Sequence, residues 1–111
     1  MPDWCYYFEK ADLARQQGDW SAIVEYGALA FELNDNPNEA SERLPFIEGY
    51  AHMGNWARAI ELSRDTLNHG KEGVLPMLCN TWLRLAKTTP VELERDQAFQ
   101  TIHTEFGCTI K

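Results

Sequence analysis

The sequence predicts an all-α chain of six helices that pair into three antiparallel hairpins. Apolar residues recur at helical spacing along the chain, and no segment alternates with the two-residue period of a β-strand. The triplet GDW at 18–20 recurs as GNW at 54–56, an offset of 36 residues. Each copy combines a turn-permissive glycine, a helix-capping side chain and a large aromatic residue. Because the hairpins repeat at a fixed offset, we expect them to stack by one repeated operation into a short helical solenoid.

The first two hairpins are predicted over residues 3–34 and 41–68. Apolar stripes define helices one and two on either side of the first triplet, and the second triplet starts helix four. Helix three is expected over roughly 41–53, where Pro45 is tolerated in the first turn because no intrahelical N–H bond is lost there. Gly70 is expected to end helix four in the C′ position.

The third hairpin is predicted over residues 74–106 and completes a single domain over 1–111. Another step of 36 residues leads to Pro90, and the string TPVE at 89–92 has the pattern of a capping box that starts helix six. Gly107 is expected to end that helix. Helix five is expected to start at Leu75-Pro76 and to bury Leu78, Cys79, Trp82, Leu83 and Ala86.

Composition and charge exclude several classes of partner. The 111 residues are 44% hydrophobic, enough for one folded domain, and carry a formal net charge of −7. An acidic chain without a cluster of lysine and arginine is repelled by phosphate backbones, so we expect no nucleic-acid partner. No apolar run reaches the length of a membrane span, and the first residues lack the pattern of a signal peptide. We therefore expect a soluble chain without membrane insertion.

The three cysteines predict neither a disulfide framework nor a zinc site. Cys5, Cys79 and Cys108 are far apart in sequence, odd in number and free of C-x-x-C spacing. We expect them to be small buried apolar residues, although a single bridge between two of them remains geometrically open. This usage slightly favours the cytoplasm and leaves the compartment otherwise unknown.

No catalytic, cofactor or metal motif is present in the sequence. His52, His69 and His103 are widely separated, and the spacings of zinc proteases, serine hydrolases, P-loops and dinucleotide-binding loops are absent. Glu48 and His52 are four residues apart on one predicted helix, which allows an acid/base pair but more often gives an ordinary surface contact. We therefore predict that the protein is not an enzyme and has no cofactor.

The turn triplets resemble those of the tetratricopeptide repeat (TPR) family. The string FELNDNP at 31–37 is similar to the segment that closes a TPR unit, and AIE at 59–61 matches the start of a second helix. The resemblance covers most of residues 4–67. It implies a TPR-like right-handed α-α superhelix that binds a protein or peptide segment without catalysis.

The resemblance also implies which residues line the peptide groove. Counted from the two triplets and from the turn at Pro90, the groove positions are Phe8, Asp12, Arg15, Gln16, Leu44, Glu48, His52, Asn80, Arg84 and Lys87. The basic residues would meet a partner carboxylate, the acidic residues a basic side chain, and Phe8 an apolar anchor. The alternative is a solvated helix face with cross-helix ion pairs worth about 0–1 kcal/mol each.

A second resemblance concerns the strings WCYYFEKADLARQQGDW at 4–20 and LPFIEGY at 44–50. They are similar to soluble helical tails that follow multi-pass glycosyltransferase-like membrane proteins of bacteria. This resemblance implies a docking or regulatory tail and no transferase chemistry for these residues.

The N-terminal aromatic cluster gives this alternative a candidate interface. Trp4, Tyr6, Tyr7 and Phe8 are more aromatic residues than one helix face can bury. We expect either an exposed end interface of Trp4, Tyr6 and Tyr7, used for homodimerisation or docking, or full burial in the first hairpin. The other tryptophans, Trp20, Trp56 and Trp82, are expected in the core.

Overall fold

A computed structural model describes residues 2–33, 37, 39–70 and 73–110. These residues form no strand, and their six α-helices are α1 (Trp4–Gln17), α2 (Trp20–Ala30), α3 (Leu44–His52), α4 (Trp56–His69), α5 (Val74–Thr88) and α6 (Leu93–Phe106). The all-α prediction is confirmed. The end of the closing string of the first repeat, Asn34 to Asn36, lies outside the described residues. Over the described ranges, none of the helices is both long enough and apolar enough to cross a bilayer.

The two repeated triplets form the turns that the sequence predicts. Gly18 and Gly54 have φ values of 70° and 83°, a left-handed backbone that a side chain disfavours. Asp19 caps α2 by accepting a hydrogen bond from the Ala22 amide at 3.3 Å. Asn55 caps α4 in the same way, 3.1 Å from the Arg58 amide. Each cap satisfies one backbone N–H at the start of its helix.

Helix α3 begins later than the predicted range of 41–53. The residues before it form a short 3-10 helix, Ala40–Arg43, and Pro45 lies in the first turn of α3. An α-helix that began at Ser41 would need a hydrogen bond from the N–H of residue 45, which proline lacks. The proline therefore sets the start of α3.

The predicted capping box of helix six is wrong. Thr89 ends α5 instead, and its hydroxyl donates to the Leu85 carbonyl at 2.5 Å. Helix α6 begins at Leu93, and the Glu92 before it makes no side-chain cap. The Glu92 carboxylate instead accepts the Trp56 indole N–H at 2.9 Å. Gly107 ends α6 with a left-handed backbone, as predicted, whereas Gly70 after α4 is extended.

The core contains two aromatic clusters, one in each half of the chain. In the first, the Trp4 ring lies 5.2 Å from the Phe31 ring and 5.4 Å from the Phe46 ring. Trp4 is only 1% exposed, so it is not part of an exposed end interface. Its indole N–H donates to Glu42 at 2.7 Å, which satisfies the polar atom inside the core.

The second cluster joins Trp56, Trp82 and Phe99, whose ring centroids lie 5.7–6.0 Å apart. Trp56 and Trp82 are buried, as predicted, and Trp20 is half-buried. The Trp82 indole donates to the Ser63 hydroxyl at 2.9 Å. The two clusters give each half of the chain its own packing centre.

The packing places α3 next to both α1 and α5. Helix α3 contacts both α1 and α5, α2 packs against α1 and α3, and α4 packs against α3, α5 and α6. Residues at equivalent positions of α1, α3 and α5 therefore lie side by side. This arrangement positions the candidate site.

Of the three cysteines, only Cys108 is fully buried as expected, and the single bridge that the sequence left open is present. Cys79 of α5 and Cys108 after α6 form a disulfide across 29 residues. Cys108 is buried and Cys79 half-buried, while Cys5 is exposed. Sequence spacing could not show this pairing because only the return of the chain after Gly107 brings Cys108 beside α5.

Candidate functional site

A cavity of about 260 Å³ lies where α1, α3 and α5 meet. We call it the α1–α3–α5 cavity, and its lining residues are Phe8, Asp12, Arg15, Ser41, Leu44, Pro45, Glu48, Met77 and Arg84. Six of the ten groove residues that the TPR resemblance implies are among them. Each of the three helices contributes at least one charged side chain, because charged residues recur at positions 12, 48 and 84 with the 36-residue offset.

Glu48 is the centre of the charged part of this cavity. Its carboxylate accepts from Arg84 Nε at 2.8 Å and lies 3.8 Å from Arg15 Nε. Its side chain is only 5% exposed, so these cations compensate for its desolvation. Arg15 also donates to Asp12 at 3.1 Å. The two carboxylates and two guanidinium groups thus form one network across three helices.

The apolar part of the cavity comes from Phe8 of α1, Leu44 and Pro45 of α3, and Met77 of α5. Phe8 and Leu44 are half-buried, and Met77 is 47% exposed. The TPR resemblance places Phe8 and Leu44 here but gives Asn80, not Met77, for α5. Met77 could have been identified from the sequence because it lies outside the buried stripe of α5. A methionine at such a position has no role in the core.

Four implied groove residues do not line the α1–α3–α5 cavity. Gln16 donates to Asp12 at 3.3 Å, whereas Asn80 and Lys87 are exposed on α5. The His52 ring stacks on Trp20 with centroids 3.8 Å apart and planes 2° apart.

His52 and Glu48 do not form the acid/base pair that their spacing allows. Glu48 hydrogen-bonds to Arg84, while His52 Nε2 lies 3.3 Å from the hydroxyl of Thr88. Partial burial lowers the pKa of His52 below its ordinary value of 6.5, because desolvation penalises the charged ring. Neutral His52 therefore acts as a packing partner for Trp20.

The first hairpin exposes several apolar side chains that do not line the cavity. Tyr6, Leu13 and Leu29 are 43%, 48% and 51% exposed. Tyr7 is half-buried, with its ring 5.2 Å from Tyr6 and 6.4 Å from Tyr26. Two of the three residues of the predicted end interface, Tyr6 and Tyr7, are thus at least partly accessible.

No metal-binding constellation was found in the described part of the chain: His, Cys, Asp and Glu side chains do not come together in groups of three or more there. Comparisons with protein-family models, with curated proteins and with solved structures find nothing that matches the chain. The functional assignment therefore depends on the geometry of the α1–α3–α5 cavity.

Proposed function

We propose that the protein is a non-catalytic interaction module whose α1–α3–α5 cavity binds a peptide segment of a protein partner. The observation that carries this proposal is that three helices contribute apolar and charged side chains to one open cavity. Its wall combines exposed Met77 with half-exposed Arg84. Interfaces commonly combine an apolar anchor with charged groups that set orientation.

We further propose that the helices follow a TPR-like right-handed superhelix. Three side-chain contacts join residues 36 positions apart, namely Glu48 with Arg84, His52 with Thr88 and Trp56 with Glu92. A stack built by one repeated operation is expected to pair equivalent positions of successive units in this way. The side that carries the α1–α3–α5 cavity would then be the concave side.

Two variants, Met77→Glu and its control Met53→Glu, test the peptide groove. A random peptide library displayed on phage is selected against the immobilised chain, and enriched peptides are then measured on the variants. Met77→Glu places a charge in the apolar part of the cavity, so we expect peptide binding to weaken by about tenfold or more. Met53→Glu is the control, since Met53 is 54% exposed and is not among the residues that line the cavity. Enriched peptides that bind Met77→Glu as tightly as the unmodified chain would contradict the groove.

A second candidate function is assembly or docking through the first hairpin. The exposed Tyr6, Leu13 and Leu29 favour it, because apolar side chains on one hairpin suit a second copy or an adjoining membrane glycosyltransferase-like domain. Light scattering at several concentrations tests the homodimer. We expect a dimer that Leu13→Glu converts to a monomer, while Met77→Glu leaves the mass unchanged. A monomer at all concentrations would exclude self-assembly.

A further inference from the structure

A second cavity lies where the start of α1 and the end of α2 meet the 3-10 helix and α4. We call it the Arg43 cavity; its volume is about 220 Å³, and the described residues that line it are Trp4, Ala30, Phe31, Leu33, Pro37, Arg43, Asp65 and His69. None of them lines the α1–α3–α5 cavity. We propose that the Arg43 cavity binds a free apolar α-amino acid. This inference does not depend on the peptide groove.

Arg43 is buried without a partner for its charge. Only 8% of the residue is exposed, yet its guanidinium group has neither a hydrogen bond nor an ion pair with any described residue. In the same part of the chain, every side-chain nitrogen or oxygen that is completely shielded from solvent has a partner. The guanidinium nitrogens therefore keep some contact with solvent, which the cavity beside them provides. A buried arginine normally has a partner, because it carries five N–H donors and a full charge.

Comparison with Arg95 shows what Arg43 lacks. Both residues are 8% exposed. The guanidinium group of Arg95 donates to the Thr89 hydroxyl at 2.9 Å and to the Ala86 carbonyl at 2.7 Å, so it links two segments of the fold. Arg43 makes no such link between described residues, and its donors are available to a ligand.

The charges at the cavity define the charge of the ligand. Asp65 lines the same cavity, but it forms no ion pair with Arg43. Burial lowers the pKa of Arg43, because desolvation of its charge outweighs the attraction of the Asp65 and Glu42 carboxylates. An anion alone would be repelled by Asp65, and a cation alone by Arg43. A zwitterion satisfies both residues, with its carboxylate on Arg43 and its ammonium group on Asp65.

The rest of the lining defines the body of the ligand. Trp4, Ala30, Phe31 and Leu33 form an apolar wall, so a ligand side chain that contacts them is removed from water. The Trp4 indole N–H already donates to Glu42, which leaves the apolar atoms of its ring for a ligand. The volume of about 220 Å³ is below the range of about 300–1,000 Å³ that is typical of drug-sized ligands, and it suits a molecule of amino-acid size.

Leucine and three analogues test both charges and the apolar body of the ligand. N-acetyl-leucine keeps only the carboxylate, leucinamide keeps only the ammonium group, and serine keeps both charges without the apolar side chain. We expect leucine to bind the full chain with a Kd of about 0.1–1 mM, and each analogue to bind about tenfold more weakly because it lacks one contact.

Nuclear magnetic resonance titration of the tryptophan indole N–H signals measures this binding and places it. The Trp4 signal, assigned with Trp4→Phe, should shift as leucine is added. Trp20, Trp56 and Trp82 do not line the cavity, so their signals should stay in place. A shift of all four signals, or no shift of the Trp4 signal at about 10 mM leucine, would overturn the proposal.

Substitutions of the two charged residues identify the groups that hold the ligand. Arg43→Gln removes the charge in the cavity, and we expect leucine affinity to fall at least about tenfold. Arg64→Gln removes an exposed charge outside the cavity and should leave binding unchanged. Asp65→Asn should weaken leucine but not N-acetyl-leucine, which has no ammonium group. Glu25→Gln, at an exposed position of α2, is its control. An equal loss in each variant and its control would overturn the proposal, because net charge would explain it.

Thermal unfolding without ligand separates a ligand site from a structural role of Arg43. Arg43→Met removes a buried charge that has no partner, so we expect its Tm to be unchanged or higher. Arg95→Met removes an equally buried charge that is hydrogen-bonded, and its Tm should fall. Equal falls in the two variants would show that Arg43 stabilises the fold and would overturn the proposal.

The analogues also separate a free amino acid from the end of a protein chain. N-acetyl-leucine resembles a carboxyl-terminal residue, and leucinamide resembles an amino-terminal residue. If either binds as tightly as leucine, the cavity does not select a zwitterion, and the proposal of a free amino acid is overturned. Weaker binding of both supports it.

Discussion

The helix pairs α1–α2 and α5–α6, predicted from the sequence as the first and third hairpins, are held together by different chemistry. In the first, Gly18 turns the backbone in a left-handed conformation and Asp19 caps the next helix. In the third, no such turn is present, and Arg95 links the helices instead. Its guanidinium donates to the Thr89 hydroxyl at 2.9 Å and to the Ala86 carbonyl at 2.7 Å.

This difference shows which interactions stabilise each hairpin. A glycine turn is local, because it depends on the backbone preference of one residue and one cap. The Arg95 contacts connect residues of different segments and act only in the folded hairpin, whereas the Cys79–Cys108 disulfide also restricts the unfolded chain. The third hairpin should therefore depend more strongly on single side chains.

The largest expected effect comes from Arg95→Ala. Arg95 is 8% exposed, and its guanidinium also lies 4.5 Å from the Phe99 ring. Its loss leaves the Ala86 carbonyl and the Thr89 hydroxyl without their donor and removes the contact with Phe99, so we expect the free energy of unfolding to fall by about 4 kcal/mol. Urea denaturation monitored by circular dichroism measures it. Arg64→Ala, in an exposed pair with Glu105, is the control and should change little. Equal losses would show that burial of Arg95 is not what matters.

Removal of the disulfide should have the next largest effect. The bridge closes a loop of 29 residues, and we expect Cys79→Ala/Cys108→Ala to lower the free energy of unfolding by about 3 kcal/mol. Hydrogen exchange should accelerate more in α5 and α6 than in α1 and α2. Cys5→Ala, at an exposed position, is the matched control. An equal acceleration in all four helices would contradict a local role.

Gly18→Ala tests the turn of the first hairpin. An alanine at φ 70° is strained even though its Cβ would meet no atom within 4 Å, so we expect a loss of about 1 kcal/mol. Gly73→Ala is the control, because Gly73 has equally open space and an ordinary φ of −72°. Thermal unfolding compares the two variants. A loss of the same size at Gly73 would mean that backbone conformation is not the cause.

The smallest expected effect is a pH dependence at His52, which lies between the hairpins. Because burial lowers its pKa, the folded state binds fewer protons than the unfolded state below the ordinary pKa of 6.5. The stability contributed by neutral His52 is therefore present above that pH and falls as the pH drops below it. His52→Gln should flatten this acid-side loss in urea titrations between about pH 5 and 7. His69→Gln, on the exposed side of α4, should leave the loss in place.

The helices and the first two turns were predictable because their signals are local. The stripes of α1 and α2 and the turns at Gly18 and Gly54 depend on residues within a few positions of one another. The capping box at 89–92 failed for a tertiary reason. Glu92 bonds to the Trp56 indole, 36 residues away, and Thr89 bonds to α5 and Arg95.

Part of the lining of the α1–α3–α5 cavity could be predicted, but not its charge pairing. The groove positions that the TPR resemblance implies include six of the residues that line the cavity. The spacing could not show that Glu48 would form ion pairs with Arg15 and Arg84, because these pairs depend on how three helices pack. The burial of Trp4 against Phe31 and Phe46 depends on packing in the same way.

The position of the disulfide has a mechanical consequence. A pulling force applied to the tail at Ile110 reaches Cys108 and passes through the sulfur atoms to Cys79, so α6 is shielded from tension. Stretching with the bridge intact would unravel the chain from α5 backwards and leave the 29-residue loop closed. Reduction of the disulfide would let this loop extend as well, which adds roughly 100 Å of extended chain. The loop between the two cysteines therefore extends only after the disulfide has been reduced, and not under force alone.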